Sequence, residues 1–235
     1  EADWAQWFVS YRTFLLHYAE LAERERIEAL AVGTELKIAA VTREADWRRL
    51  IAEVRKVYRG QLTYAANWYE EYEGIRFWDA LDFVGIQGYF PLAEGPGATV
   101  AELEQGWQRH LPAIEAFAKR VGKPIVFTEI GYKSTHDTAV EPWLWPERGL
   151  GHRYSDRSRA DATAQANAYE AFFRALWNRE WFAGAYFWKW YPKPRASAAA
   201  LDADNIDFTP QGKPAERVLA RWYGGVAGMP AAASH

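Results

Sequence analysis

Two short apolar runs end in the same way, in a threonine followed by a glutamate. One is Ala29-Leu30-Ala31-Val32-Gly33-Thr34-Glu35-Leu36, and the other is Pro124-Ile125-Val126-Phe127-Thr128-Glu129-Ile130. A carboxylate at the carboxyl end of a buried strand is where an α/β barrel carries its chemistry, and two facing carboxylates are the apparatus of glycoside hydrolysis. In the retaining form of that reaction one carboxylic acid protonates the leaving oxygen while the other carboxylate attacks the sugar carbon. With 31 acidic residues in the chain, a glutamate taken alone reads as part of a helix first turn or a structural ion pair. Two at matching strand ends, in matching Thr-Glu contexts, read as a functional pair.

The segments between and around the glutamates supply the elements that must position them. Residues 4 to 25 carry Trp4, Phe8, Tyr11, Leu15, Tyr18 and Leu21 at three- and four-residue spacing, which predicts an amphipathic helix. A strand is expected at 29 to 34. A helix at 44 to 58 has the stripe Trp47, Leu50, Ile51, Val54 and Val57, with Gly60 as its stop. Strands at 62 to 67 and 83 to 89 flank a short helical turn at 75 to 81. A helix at 99 to 121 ends at Gly122 before a strand at 124 to 129, and a helix at 160 to 179 precedes a strand at 184 to 188. A last helix is expected at 214 to 222. Strict alternation of strand and helix implies a parallel sheet with helices packed outside it. Five strands can be counted. Side chains alternate along a strand, so Ala31, Gly33 and Glu35 are expected on one face, and Ile125, Phe127 and Glu129 on one face of theirs.

Residues 133 to 159 break the rhythm with Pro142, Pro146, Gly149 and Gly151. A loop of that length is uncommon unless functional or disordered, and Trp143 and Trp145 within it fit either a substrate-covering loop or a surface loop pinned by two buried indoles. At 235 residues and 49% hydrophobic content the chain can bury one large core. One domain is expected over residues 1–228, with 229–235 as a frayed tail.

A formal net charge of -3 offers no basic field to a polyanion, which argues against nucleic acid as a partner. No run approaches the ~18 apolar residues of a membrane span. With no cysteine, disulfides, thiolate metal sites and a cysteine nucleophile are excluded. His17, His110, His136, His152 and His235 show no metal-ligand spacing. Asp202, Asp204 and Asp207 lack the glycine and distal glutamate of a calcium loop. There is no phosphate cradle and no nucleophile elbow, so the sequence calls for neither metal nor cofactor.

The aromatic content is high: 13 Trp, 13 Tyr and 12 Phe make 16% of the chain. Sugar rings pack their C–H faces on aromatic rings, so a neutral carbohydrate suits this composition. Most of these rings belong to the core, and Trp47, Trp107 and Trp177, inside helical patterns, read as packing residues. Asn67 and Trp68 end their own strand and suit either substrate contact or a strand-terminating turn.

Five separated motifs then agree in order with one family. Gly33-Thr34-Glu35-Leu36, Tyr64-Ala65-Ala66-Asn67-Trp68, Gly85-Ile86-Gln87-Gly88-Tyr89-Phe90-Pro91-Leu92, Phe127-Thr128-Glu129-Ile130-Gly131-Tyr132 and Tyr186-Phe187-Trp188-Lys189-Trp190-Tyr191-Pro192 together resemble glycoside hydrolase family 113, as does the tail from Asp207 to Glu216. The resemblance implies a (β/α)8 barrel and β-1,4-mannanase activity on a β-linked oligo- or polysaccharide. It implies Glu35 as general acid/base after strand four and Glu129 as nucleophile after strand seven. Glu35 is then expected to have a raised pKa, and Glu129 to be held ionised by hydrogen-bond donors. Tyr89 resembles the tyrosine that contacts the nucleophile in this clan, although a packed strand-end tyrosine explains it as well. Trp188 resembles the aromatic floor beneath the sugar, with Lys189 and Trp190 shaping adjacent subsites. Trp188 and Lys189 can serve together only if the strand ends there.

The sequence departs from the wider clan at Thr34, where an Asn is common, and at Gln87, where a His is common. If Glu35 ends strand four, residues 1 to 28 supply only the helix before it, and the first three strands have no counterpart. The expectation is therefore an incomplete barrel of strands 4 to 8, truncated at its start and weak or inactive alone, since open edges and missing sugar-binding side chains follow. A β-glucanase or another β-glycosidase of the same clan, and a noncatalytic carbohydrate-binding protein, are the alternatives.

Overall fold

The computed structural model describes residues 2–145, 159–192 and 206–224. The expected tail at 229–235, Asp202, Asp204 and the 146–158 part of the long loop lie outside the described residues. Along the chain run α1 (Ala2–Arg24), β1 (Ala29–Thr34), α2 (Lys37–Thr42), α3 (Glu44–Val57), β2 (Gln61–Asn67), a 3₁₀ turn (Trp78–Ala80), β3 (Val84–Gln87), α4 (Val100–Val121), β4 (Ile125–Ile130), α5 (Ala162–Leu176), β5 (Phe182–Phe187) and α6 (Pro214–Gly224). The five strands form one sheet in chain order, and the β1–β2, β2–β3 and β3–β4 pairs are parallel. A parallel sheet with helical crossovers is the α/β arrangement the alternation predicts.

The chain packs as two compact units, one of residues 1–88, 114–129 and 180–185, the other of residues 89–113, 130–179 and 186–235. In the first, Trp47 of α3 is fully buried. It stacks on Phe77 at 5.5 Å between ring centroids and meets Tyr64 of β2 and Phe8 and Tyr11 of α1 edge-on. Leu50, Ile51 and Val54 continue that stripe, as the three- and four-residue spacing requires. On α1 the buried residues are Phe8, Leu15, Ala19 and Ala22, whereas Tyr18 is exposed. Small residues at 19 and 22 let the helix sit close, which turns Tyr18 outward beside Phe14, 4.9 Å away.

Two further differences have simple causes. The chain turns from α3 at Tyr58, whose extended backbone ends the helix. Gly60 instead makes room for the Tyr58 ring, which lies where a Cβ would be and donates to the Ile27 carbonyl at 2.7 Å. Gly122 does end α4 in the left-handed conformation, with φ at 68°. The six-residue α2 has no sequence counterpart above, because one and a half turns cannot establish a period.

In the second unit Trp107 is fully buried against Phe90 and Phe172. Helices α5 and α6 meet through Phe173 stacked on Trp222 at 5.3 Å and Trp177 against Tyr223. Asp161 caps α5 by accepting the Ala164 amide at 2.8 Å. No described helix is long and apolar enough to cross a membrane.

Candidate active site

Both glutamates belong to the first unit, and each follows a break in its strand's register. On β1, Ala31 pairs with Thr63 but Thr34 with Ala65, so an extra residue is accommodated between them. On β4, Phe127 pairs with Ile86 but Glu129 with Gln87, which makes Thr128 the extra residue. Such bulges re-aim the side chain that follows. They also overturn simple alternation on β1, where Val32 and Gly33 are both buried while Ala31 and Thr34 are exposed. Gly33 abuts Trp47 and Tyr64 in the helix-facing layer and does not share a face with Glu35.

Glu35 itself lies just past β1 in the left-handed region, with φ at 51°, and its amide donates to the Ala65 carbonyl at 2.9 Å. That conformation is uncommon for a residue with a side chain and is held here by its surroundings. Asn67 at the end of β2 donates from Nδ2 to Glu35 Oε1 at 3.2 Å. Asn67 is the register partner of Gln87 on β3, and Gln87 is the register partner of Glu129. Gln87 donates from Nε2 to Glu129 Oε2 at 3.3 Å and accepts the Thr128 hydroxyl at 3.1 Å. Neighbouring strands stand ~4.8 Å apart, so the two glutamates are held by side chains one strand spacing from each other.

The surroundings of Glu35 act on its charge. The Glu35 side chain reaches solvent, yet the protein around it removes part of its hydration, and this raises its pKa above the usual carboxylate value. The charges of Glu129 and then Glu71 add to the effect. A carboxyl that retains its proton beside an ionisable carboxylate can serve as acid and nucleophile respectively.

Glu71 was not singled out by the sequence motifs. It is completely buried, accepting the Tyr64 hydroxyl at 2.6 Å on Oε1 and the Asn67 amide at 2.7 Å on Oε2. Its only signal in the sequence is its position four residues after Asn67, within the acidic pair Glu70-Glu71.

The sequence profile of Glycoside Hydrolase Family 113 matches residues 1–213. The chain belongs to glycoside hydrolase family 113. Its membership agrees with solved structures: a family 113 β-1,4-mannanase solved as a complex is 34% identical with a TM-score of 0.77, covering 94% of this chain and 63% of that one. The family 113 β-mannanase of Alicyclobacillus acidocaldarius, in complex with ManMIm, is 32% identical with the same TM-score, covering 95% of this chain and 63% of that one. This family 113 chain thus spans 63% of the length of those mannanases. The β-glucuronidase of Ruminococcus gnavus, 16% identical with a TM-score of 0.55 over 83% of this chain and 32% of its own, shares the fold. Among curated proteins none matches significantly. Together these relatives identify the α/β arrangement as the (β/α)8 type, of which five strands lie among the described residues.

Within the first unit of this family 113 protein, Trp68 is half-buried beside Tyr69, 5.4 Å between rings. The other four expected binding residues lie in the second unit. Tyr89 is buried just after β3. Trp188 follows the end of β5, its amide donating to the Ile130 carbonyl at 2.8 Å, and its ring meets Trp145 edge-on at 6.2 Å. Since β5 ends at Phe187, Trp188 and Lys189 escape strand alternation, and the peptide joining them is cis. Lys189 lies 3.3 Å from Asp207 and over the rings of Trp145 and Tyr191. Trp190 is exposed. Among the described residues no cluster of three acidic or histidine side chains could hold a metal.

Proposed function

We propose that this protein is a retaining glycoside hydrolase that cleaves the β-1,4-mannosidic bonds of mannan. The observation that carries the proposal is the Glu35–Asn67 and Gln87–Glu129 pairing across the ends of four adjacent strands, in a chain of family 113. In the first step Glu35 gives its proton to the glycosidic oxygen while Glu129 attacks the anomeric carbon. The bond to the leaving sugar breaks as the ester to Glu129 forms. In the second step the Glu35 carboxylate takes a proton from water, and the oxygen of that water displaces Glu129 with net retention.

The raised pKa of Glu35 supports its role as acid, because the proton must be present at the pH of turnover. Gln87 orients Glu129 by its amide donor, and Asn67 does the same for Glu35. Trp68, Trp188 and Trp190 are proposed to stack on the C–H faces of the sugar, Lys189 to bond its hydroxyls, and Tyr89 to serve as the tyrosine that contacts the nucleophile. No metal or cofactor enters this scheme.

Digestion of mannan, β-glucan and xylan, with product anomers followed by proton NMR, tests the reading. Any hydrolysis of mannan is expected to be weak and to proceed with retention. A 2-deoxy-2-fluoro-mannosyl fluoride should label the peptide containing Glu129, and Glu129→Gln should abolish both turnover and labelling. Inversion of configuration, or labelling of a residue other than Glu129, would refute it.

A further inference from the structure

A buried carboxylate stands behind the acid/base and takes no part in the two steps above. Glu71 sits in the segment after β2, completely enclosed, with both oxygens occupied by donors from the first unit. Its Oε1 accepts the Tyr64 hydroxyl, and that same hydroxyl oxygen accepts the amide of Leu36 at 2.6 Å. Leu36 is the residue directly after Glu35. Its Oε2 accepts the amide of Asn67, the residue whose side chain bonds Glu35. Two short polar routes therefore leave one buried carboxylate and arrive on either side of Glu35, one at its following peptide and one at its carboxylate.

We propose that Glu71 is a positioning residue for Glu35: it fixes the Leu36 amide through Tyr64 and fixes directly the amide of Asn67, whose side chain bonds the Glu35 carboxylate. The proposal rests on the reading of Glu35 as acid/base given above.

The physical reasons are separate for geometry and charge. Glu35 occupies a left-handed backbone conformation, with φ at 51°, a strained state for a residue with a side chain that its neighbours must offset. The Leu36 amide held by Tyr64 and the Glu35 amide held by Ala65 are the two bonds that impose it. A hydroxyl that accepts from an amide and donates to a carboxylate is polarised in one direction, which strengthens both bonds. Burial raises the pKa of Glu71 overall, and the two donors, the Tyr64 hydroxyl and the Asn67 amide, oppose that push by favouring the ionised form. The charged groups around this site are Glu129 on β4, Lys37 on α2, which pairs with Glu70, and Glu71 itself. Glu129 and Glu71 both act to keep the proton on Glu35, with Glu129 the larger of the two.

Carbon-detected NMR titration of the Glu35 carboxyl, together with amide exchange at Leu36, tests this on the whole chain without substrate. In Glu71→Gln the Glu35 midpoint is expected to fall and Leu36 exchange to quicken. In Tyr64→Phe, which removes one hydroxyl and no charge, Leu36 exchange should quicken about fivefold, the equivalent of one net hydrogen bond, while Glu35 stays near its original midpoint. A merely structural role for Glu71 would quicken exchange throughout the unit and leave the Glu35 midpoint in place. An unmoved midpoint in folded Glu71→Gln, or unchanged Leu36 exchange in Tyr64→Phe, would overturn the proposal. Should Glu71→Gln fail to fold, the Tyr64→Phe exchange rate alone decides. Because neither readout needs turnover, failure of the hydrolase reading and failure of this one are distinguishable.

Discussion

Gly33→Ala connects the core of the first unit to the acid/base. A Cβ built on Gly33 would lie 2.8 Å from Cη2 of Trp47 and 2.8 Å from Cε2 of Tyr64. Each ring must retreat by about 0.7 Å to reach ordinary carbon–carbon contact. Neither has room, since both are fully buried and Trp47 is already stacked on Phe77 and in edge contact with Phe8. Tyr64 is further tethered at its hydroxyl by Glu71 and Leu36. Overpacking of this kind costs about 1–3 kcal/mol, against a gain of about 0.4–1 kcal/mol from the stiffer unfolded chain. The clash wins, leaving a net loss of about 1–2 kcal/mol and a melting temperature lower by about 2–8 °C for a chain of this size. Calorimetry measures the first effect. The second is local: a displaced Tyr64 ring should move the Leu36 amide resonance more than those at the far end of β1. A variant as stable as the parent, or more so, would refute the reasoning, because it would mean that the two rings yield freely.

The second unit offers two more tests. Asp137 pairs with Arg159, both almost wholly buried, and also faces the buried Lys133. Burial alone would raise the Asp137 pKa, but the Thr135 hydroxyl, Lys133 and Arg159 outweigh it and hold the group below the usual carboxylate value. Asp137→Asn removes the carboxylate that faces both Arg159 and Lys133 and should cost about 3–5 kcal/mol in urea unfolding at neutral pH. A depressed folded-state pKa contributes stability above the unfolded value of about 3.9 that disappears as pH falls through the lower folded one. The gap between parent and variant should therefore narrow in strong acid, and a neutral-pH loss under about 1 kcal/mol would contradict the assignment. Lys213 is buried with its amine on the Ser134 hydroxyl and the Asp207 carbonyl, and burial pushes its pKa down to about 8. Between about pH 8 and 10.4 the unfolded chain holds this proton more tightly than the folded one, so the parent should gain stability relative to Lys213→Met as pH rises, by up to about 3 kcal/mol. A difference that stays flat over that interval would show that the amine is not desolvated.

The strands and long helices were legible because their periods survive over many residues, and the paired Thr-Glu endings were legible because they repeat. What alternation could not supply was the direction of the glutamates. A bulge adds one residue without changing composition, so Gly33 was expected beside Glu35 but instead abuts Trp47 in the layer behind it. The same limit hid Glu71. Its partners Tyr64 and Asn67 lie on β2, and the amide it serves through Tyr64 lies after β1, so its surroundings arise only when the strands pair. A buried carboxylate with two donors looks in sequence like any surface glutamate of an acidic pair. Family resemblance transmits the residues it assigns to the sugar because they sit in short motifs. Residues that hold those in place are scattered by the topology, and Gln87 shows the consequence: in the sequence it was only a departure from the clan pattern, yet it links Thr128 to Glu129 across the second bulge. An amide orients the carboxylate there by one donor and one acceptor, so the residue type in the clan motif is one of at least two that can do so.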